Sequence, residues 1–265
     1  MNHDLVFLSG LPRSGSTILT SLLNQHNDLH ATTTSPVLGM ILNFGVNWEG
    51  QVVHQVEDKN EQQKKDMQKS MLLNAHSHFD KPMVVDKNRG WPKSIKLLEE
   101  FLGKKPKIIC TVRDIPSVLS SFVTLTNKNP DDNFIDNHLK EQGFTVNNTN
   151  RCRLLWRSGT VGESWQCLKS GYQYDKSCLH IVSYDEIVSN PLKVMYDIED
   201  FLEISHFEYD INNLKPMEEK DEFHGLKGLH DIRPTIKKTS LPPEKIIGVE
   251  LTKYYTDMKL DFWNN

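Results

Sequence analysis

The chain has 265 residues, 37% of them hydrophobic and 25% charged, with a formal net charge of −4 and a pI near 6.3. These values exclude a wholly disordered chain and a strongly basic nucleic-acid binder, but leave room for a local basic pocket that takes a small anion. The longest unbroken apolar run is Leu5–Leu8, far short of the roughly 20 residues that span a bilayer.

Leu5–Leu8 reads as a buried strand and Ser9–Gly15 as a turn-rich loop. From Ser16 onward Ile18, Leu19, Leu22 and Leu23 fall on one helical face. His30–Thr34 reads as a short strand, residues 49–70 as an exposed polar helix or cover segment, and Met83–Val85 as another strand. Pro92–Gly103 is a predicted helix, with Ile95, Leu98 and Leu102 on one face and Gly103 as its stop. Lys107–Val112 is the second clear buried strand. Ile115–Leu125 follows as a helix, with Pro116 in the first turn, where its missing N–H costs nothing. Residues 127–150, rich in Asn and Asp, read as a mobile loop or lid. Next come a helix over Arg151–Leu168, a strand over Leu179–Val182 and an amphipathic helix over Pro191–Leu202. Residues 205–240 lack periodicity, and a closing helix runs from about Pro243 to Tyr255. Strands alternating with helices predict an α/β fold of three layers over residues 1–265. The expectation is one central parallel sheet of about 4–5 strands with helices on both faces. Ligands bind at the carboxyl ends of such strands, so the loops after Leu8, Val85, Val112 and Val182 are the places to look.

The four cysteines (Cys110, Cys152, Cys167, Cys178) are too few for a disulfide framework. Asp4 and the early glycine-rich turn do not read as a secretory leader. The expectation is a cytoplasmic protein with no membrane or nucleic-acid partner, and the Asn147-Asn148-Thr149 sequon is read as chance.

Gly10-Leu-Pro-Arg-Ser-Gly-Ser-Thr17 follows a strand and opens a helix. In that setting backbone N–H groups and a helix N-terminus hold phosphate. The spacing is that of a Walker A loop, but Ser16 stands where the lysine belongs, Thr17 is kept, and the cation is Arg13 inside the loop. Arg13 offers a rigid donor fork, Gly15 is the second loop glycine, and Ser14, Ser16 and Thr17 add hydroxyls. The set suits a single 5′-phosphate carrying a transferable group.

With Ile18-Leu19 after it, this loop resembles the 5′-phosphosulfate loop of sulfotransferases that use 3′-phosphoadenosine 5′-phosphosulfate (PAPS), above all the tyrosylprotein and related bacterial-type members. The resemblance implies a P-loop-like fold, PAPS as co-substrate, and sulfuryl transfer to a hydroxyl or amine on a small molecule, glycan or peptide. It extends to Arg113-Asp114 after the strand Ile108–Val112, and to Ser121, eight residues beyond Arg113. Arg113 ends a strand and Ser121 lies about two helical turns on, so both can face one pocket. The resemblance implies that this pair reads the 3′-phosphate. Ser183-Tyr184-Asp185-Glu186 before Asn190-Pro191 resembles the family segment whose tyrosine lies near the adenine, which makes Tyr184 a stacking candidate. A late basic stretch, Gly228–Thr235 followed by Lys237-Lys238, offers Arg233 and, behind it, Lys237 as further phosphate contacts. Residues 40–80 and 127–150 have no counterpart and are expected to be acceptor-side insertions or lids.

Direct sulfuryl transfer needs in-line placement, positive charge at the bridging oxygen and a base for the acceptor proton. Lys87, just past Met83-Val84-Val85-Asp86, matches the family lysine that points at the bridging oxygen, and Arg13 assists it. A metal is not required in principle, because arginines and loop amides hold the leaving bisphosphate. Neither base of the relatives is present. The histidine two residues past the lysine is Arg89 here, and the glutamate about 21 residues past the loop arginine is Thr34, which argues against protein-tyrosine specificity. Among eleven histidines, His230 lies nearest the nucleotide loops and is the candidate base, while His54, His76 and His78 fall in the unmatched region. Asp86, beside Lys87, makes a poor base. Two other readings stay open. One is a kinase or NTPase using ATP and magnesium, with Val84-Val85-Asp86 as its metal-holding strand. The other is a nucleotide-binding module that has lost its base.

Overall fold

The computed structural model describes residues 3–51, 61–216, 225–237 and 241–264. Strand β1 (Asp4–Gly10) is buried along its whole length after Asp4, so it needs neighbours on both edges and cover on both faces. It lies at the centre of a five-stranded sheet with β2 (Leu29–Ala31), β3 (Met83–Lys87), β4 (Ile108–Val112) and β5 (Leu179–Ser183), in the order β2-β3-β1-β4-β5. Every pairing is parallel, with Leu8 opposite Lys87 on one side and Ile109 on the other. The chain moves from the β3 side of β1 to the β4 side, and this reversal opens a crevice at the carboxyl ends.

Successive residues of β1 feed opposite faces. Phe7 joins Val84, Trp91, Leu98 and Leu168 in one core, while Val6 and Leu8 join Leu19, Leu22, Val182 and Met195 in the other. The first face is covered by α2 (Val37–Glu49), α4 (Ile95–Leu102) and α8 (Thr160–Asp175). The second is covered by α1 (Ser16–Leu23) and α10 (Pro191–Leu202). A third cluster, with Leu119, Phe122, Leu155 and Tyr255, joins α5 (Ile115–Lys128), α7 (Asn148–Arg157) and the closing helices beside the sheet.

Several elements differ from the sequence expectation. Residues 127–150 are not a bare loop: α6 (Phe134–Glu141) buries Ile135 and Leu139. The asparagines that read as loop formers are helix caps, Asn133 accepting from the Asp136 N–H and Asn147 from the Asn150 N–H. The predicted helix over Arg151–Leu168 is two helices. The break falls at Ser158-Gly159, and α8 packs so tightly on α7 that a Cβ at Gly162 would sit 1.8 Å from the Trp156 carbonyl oxygen. The closing helix is likewise divided at Gly248, which has a φ of 89°, into α11 (Glu244–Ile247) and α12 (Val249–Asp257). The 3-10 turn Trp91–Ser94 leads into α4, and Gly103 ends it in the left-handed conformation. In the polar segment, α3 (Glu61–Asn74) is a largely exposed polar helix that covers the core with a few residues. It buries Gln68 and Leu72, and its Lys64 ammonium bridges Glu49 and Glu61 at 3.0 and 2.9 Å. Among the described residues, no helix is long and apolar enough to cross a membrane.

Candidate active site

Four parallel strands end together, and their loops enclose a cavity of about 1250 Å³. The loop after β1 is its floor. Gly10 has a φ of 121° and lies so close to β4 that a Cβ would sit 2.1 Å from the Thr111 carbonyl oxygen. Gly15, with a φ of 94°, forms the N-cap of α1 without any side-chain cap, and no acidic residue lies in that first turn. Ser16, Thr17 and Ile18 line the cavity, so the positive end of the helix faces it. The contrast is with α5, α6 and α7, whose N-termini are capped by Asp114, Asn133 and Asn147.

Ser14 does something other than the sequence suggested. Its hydroxyl is fully buried and is bonded to the Leu11 carbonyl at 2.5 Å and to Thr111 Oγ1 at 2.7 Å. It latches the loop to β4 and is no hydroxyl donor to a ligand. Arg13 lines the cavity but is also a strut. Its backbone is left-handed at φ 59°, its Nε donates to Ser121 Oγ at 3.1 Å, and an Nη donates to the Leu229 carbonyl. The first loop, α5 and the late loop are thereby tied through one guanidinium.

Arg113 closes the same wall. It donates to the Arg13 carbonyl at 3.1 Å, and its guanidinium lies 4.1 Å from the centre of the Tyr184 ring. Burial pulls its pKa down from the ordinary value, against the opposing pull of Tyr184, Asp114 and Asp185. It remains a cation, and an incoming anion would relieve part of that desolvation. Tyr184 is the first residue of α9 (Tyr184–Ser189), set by a capping box between Ser183 and Glu186. A Cβ at Gly15 would meet Tyr184 at 3.2 Å, so the ring lies against the loop glycine. Lys87, His230, Arg233 and Lys237 line the cavity too, as does Thr34. Lys238 and His54 lie outside the described residues.

The acid of Val84-Val85-Asp86 does not enter the cavity. Asp86 is fully buried and engaged by Ser35, His76 and Trp91, which removes it both as a metal-holding residue of a kinase and as a base. His76 is spent on that bond, and His78 packs on Phe79 outside the cavity. None of the described residues in 40–80 lines the cavity, whereas Lys128 and Phe134 of 127–150 do. A further wall of the cavity comes from α8. Arg89 donates to Thr160 Oγ1 at 3.0 Å, and Glu163 and Ser164 follow one turn on. Sequence reasoning missed Thr160 and Glu163 because no motif marks them. The close contact between Gly171 of α8 and Pro92 brings that helix across the end of β3.

Comparison with known proteins agrees with this geometry. Residues 5–208 match the model of the sulfotransferase family. The chain is 26% identical over 213 residues to protein-tyrosine sulfotransferase A of Caenorhabditis elegans, covering 75% of this chain and 50% of that protein. It is 22% identical to protein-tyrosine sulfotransferase of Drosophila melanogaster, covering 76% and 38%. It thus spans half or less of the length of these curated relatives. The sulfotransferase domain of the curacin biosynthetic pathway has the same fold, with a TM-score of 0.53, 18% identity and 98% of each chain covered. With the match spanning the loops after β1 and β4 and the strand that carries Lys87, the chain belongs to the sulfotransferase family.

Proposed function

We propose that the chain transfers a sulfuryl group from PAPS to a hydroxyl or amine acceptor, in one in-line step. The observation that carries this reading is the meeting in one cavity of Gly15–Thr17, the Arg113–Ser121 wall and Lys87. The helix N-terminus at Ser16 and Thr17 suits the 5′-phosphate, and Arg113 with Ser121 suits the 3′-phosphate. Tyr184 would flank the adenine, with Arg233 and Lys237 on the late loop as further phosphate contacts. Lys87 and Arg13 would meet the charge that develops on the bridging oxygen. The acceptor oxygen or nitrogen forms its bond to sulfur as the sulfur–oxygen bond to the phosphate breaks, and the acceptor proton passes to a base. His230, on the late loop, is the residue proposed for that proton. No step calls for a metal.

The acceptor is proposed to be a peptide, glycan or small molecule bearing a hydroxyl or amine. The named worm and fly relatives support a peptide, whereas Thr34 in place of the expected glutamate weighs against tyrosine. A reducing, cytoplasmic setting is supported by Cys110, Cys152, Cys167 and Cys178, all free thiols.

Calorimetric titration with 3′-phosphoadenosine 5′-phosphate, against ATP with and without magnesium, tests the donor site. Tight binding of the bisphosphate without metal, lost in Arg113→Ala, is the expected result. Preference for ATP with magnesium would overturn the reading.

A further inference from the structure

Neighbouring residues of a strand point to opposite faces, so Lys87 in the cavity puts Asp86 into the core beneath it. Asp86 is wholly buried, and side chains from three separate segments converge on its carboxylate. Ser35 Oγ donates to Oδ2 at 2.5 Å, His76 Nε2 lies 2.7 Å from the same oxygen, and Trp91 Nε1 donates to Oδ1 at 2.8 Å. Ser35 belongs to the loop after β2, His76 to the turn after α3, and Trp91 to the 3-10 turn that follows Lys87. The first of these segments also holds the backbone of Lys87. The Lys87 N–H donates to Thr32 Oγ1 at 2.9 Å, and its carbonyl accepts from the Ser35 N–H at 2.9 Å. Asn88 Nδ2 adds a bond to the Ser35 carbonyl at 2.8 Å.

A buried carboxylate is costly to keep, and well-packed apolar side chains often serve stability as well or better. This one sits directly under the residue whose placement matters most. A lysine side chain has a flexible four-carbon stem, so the region its ammonium can reach is set by where its Cα and backbone are held.

We infer that Asp86 is the positioning residue for Lys87: through Ser35 it pins the strand end from which the lysine reaches the bridging oxygen. The inference rests on the reading of Lys87 as the cation at that oxygen. Asp86 itself touches no substrate, and its effect passes through Lys87 alone.

A double-mutant cycle separates this role from plain core stability. The variants are Ser35→Ala and Asp86→Asn, each alone and combined with Lys87→Ala. Asp86→Asn keeps the shape of the hub: Trp91 still has an oxygen to donate to, and the new amide can donate to Ser35 or to the ring nitrogen of a neutral His76. If this variant nevertheless fails to fold, Ser35→Ala alone decides the outcome. The readouts are kcat, KM for PAPS, the Kd of 3′-phosphoadenosine 5′-phosphate and Tm. Each single change is expected to lower kcat about tenfold or more while the bisphosphate Kd moves less than about twofold. In the Lys87→Ala background each is expected to cost less than about twofold further, because the lysine they place is gone. An equal loss in both backgrounds would overturn the inference, as would an unchanged kcat accompanied by a lower Tm. If Lys87→Ala leaves kcat intact, the assignment of Lys87 falls and this inference with it. The bisphosphate titration reports on the donor site separately from either outcome.

Discussion

Gly15 carries two constraints at once: a φ of 94° that L side chains rarely adopt, and a neighbour on its open side. A Cβ there would lie 3.0 Å from Ile187 and 3.2 Å from Tyr184. Gly15→Ala is therefore expected to cost about 1 kcal/mol of stability. It should also weaken the bisphosphate by about tenfold, since the loop N–H groups turn with the strain. Ser14→Ala separates the roles within the loop. It removes a buried hydroxyl latch, so Tm should fall by an amount matching about 1–2 kcal/mol while the bisphosphate Kd holds. Calorimetry and thermal melts on the two variants check both statements. That Arg13, Gly15, Thr17, Arg113 and Ser121 would line one cavity was legible in the sequence, because the loops that carry them follow strands and their spacing is local. The job of Ser14 was not legible, because the hydroxyl is satisfied by Thr111 on β4, a partner that only the fold supplies.

At the scale of elements, the segment read as a loop is pinned by one buried pair. Arg151 of α7 grips Asp136 of α6 in a fork, Nε to Oδ1 at 2.7 Å and Nη to Oδ2 at 2.6 Å. Burial pushes the Asp136 carboxyl up, but the bonds from Arg151 and Asn133 outweigh it and hold the pKa below its ordinary value. A carboxylate depressed on folding contributes stability that is complete above its unfolded pKa of about 3.9. That contribution is lost as the pH falls through the lower folded value. Arg151→Met should thus cost about 3 kcal/mol near neutrality. The gap from wild type should close at pH values below about 4, read by denaturant melts across pH. The helical periods of α1, α4, α5 and α10 were plain in the sequence. Helix boundaries set by contacts were not: the break at Gly159 follows from the packing of α8 on α7, and α6 hides in a run of asparagines because one of them, Asn133, is its N-cap.

Across the whole molecule, the sequence made the class readable: several short apolar runs between helices demand a parallel sheet covered on both faces. Strand order was not readable, because β1 pairs with β3 and β4 through register and packing rather than through any local signal. Strand order nonetheless makes the site, since the cavity draws on residues from Pro12 to Ile246. A ligand held there braces most of the fold. Saturating bisphosphate at about 100 times its Kd should add about 2.7 kcal/mol to global stability. Differential scanning should show one cooperative transition moving upward, and Arg113→Ala should remove the shift.

The central position of β1 also matters during synthesis. The strand with Leu5–Leu8 leaves the ribosome before either partner, and Ile108–Val112 must follow before both its edges are paired. Until then one edge of the most apolar stretch of the chain stays unpaired. Parallel pairings of high sequence separation form slowly and leave such stretches open to aggregation. The glycine-rich loop is assembled only after the Thr111 carbonyl, Arg113 and the Leu229 carbonyl have arrived to hold it. The nascent chain therefore carries an open sheet edge until β4 is made, and the loop after β1 takes its final shape later still.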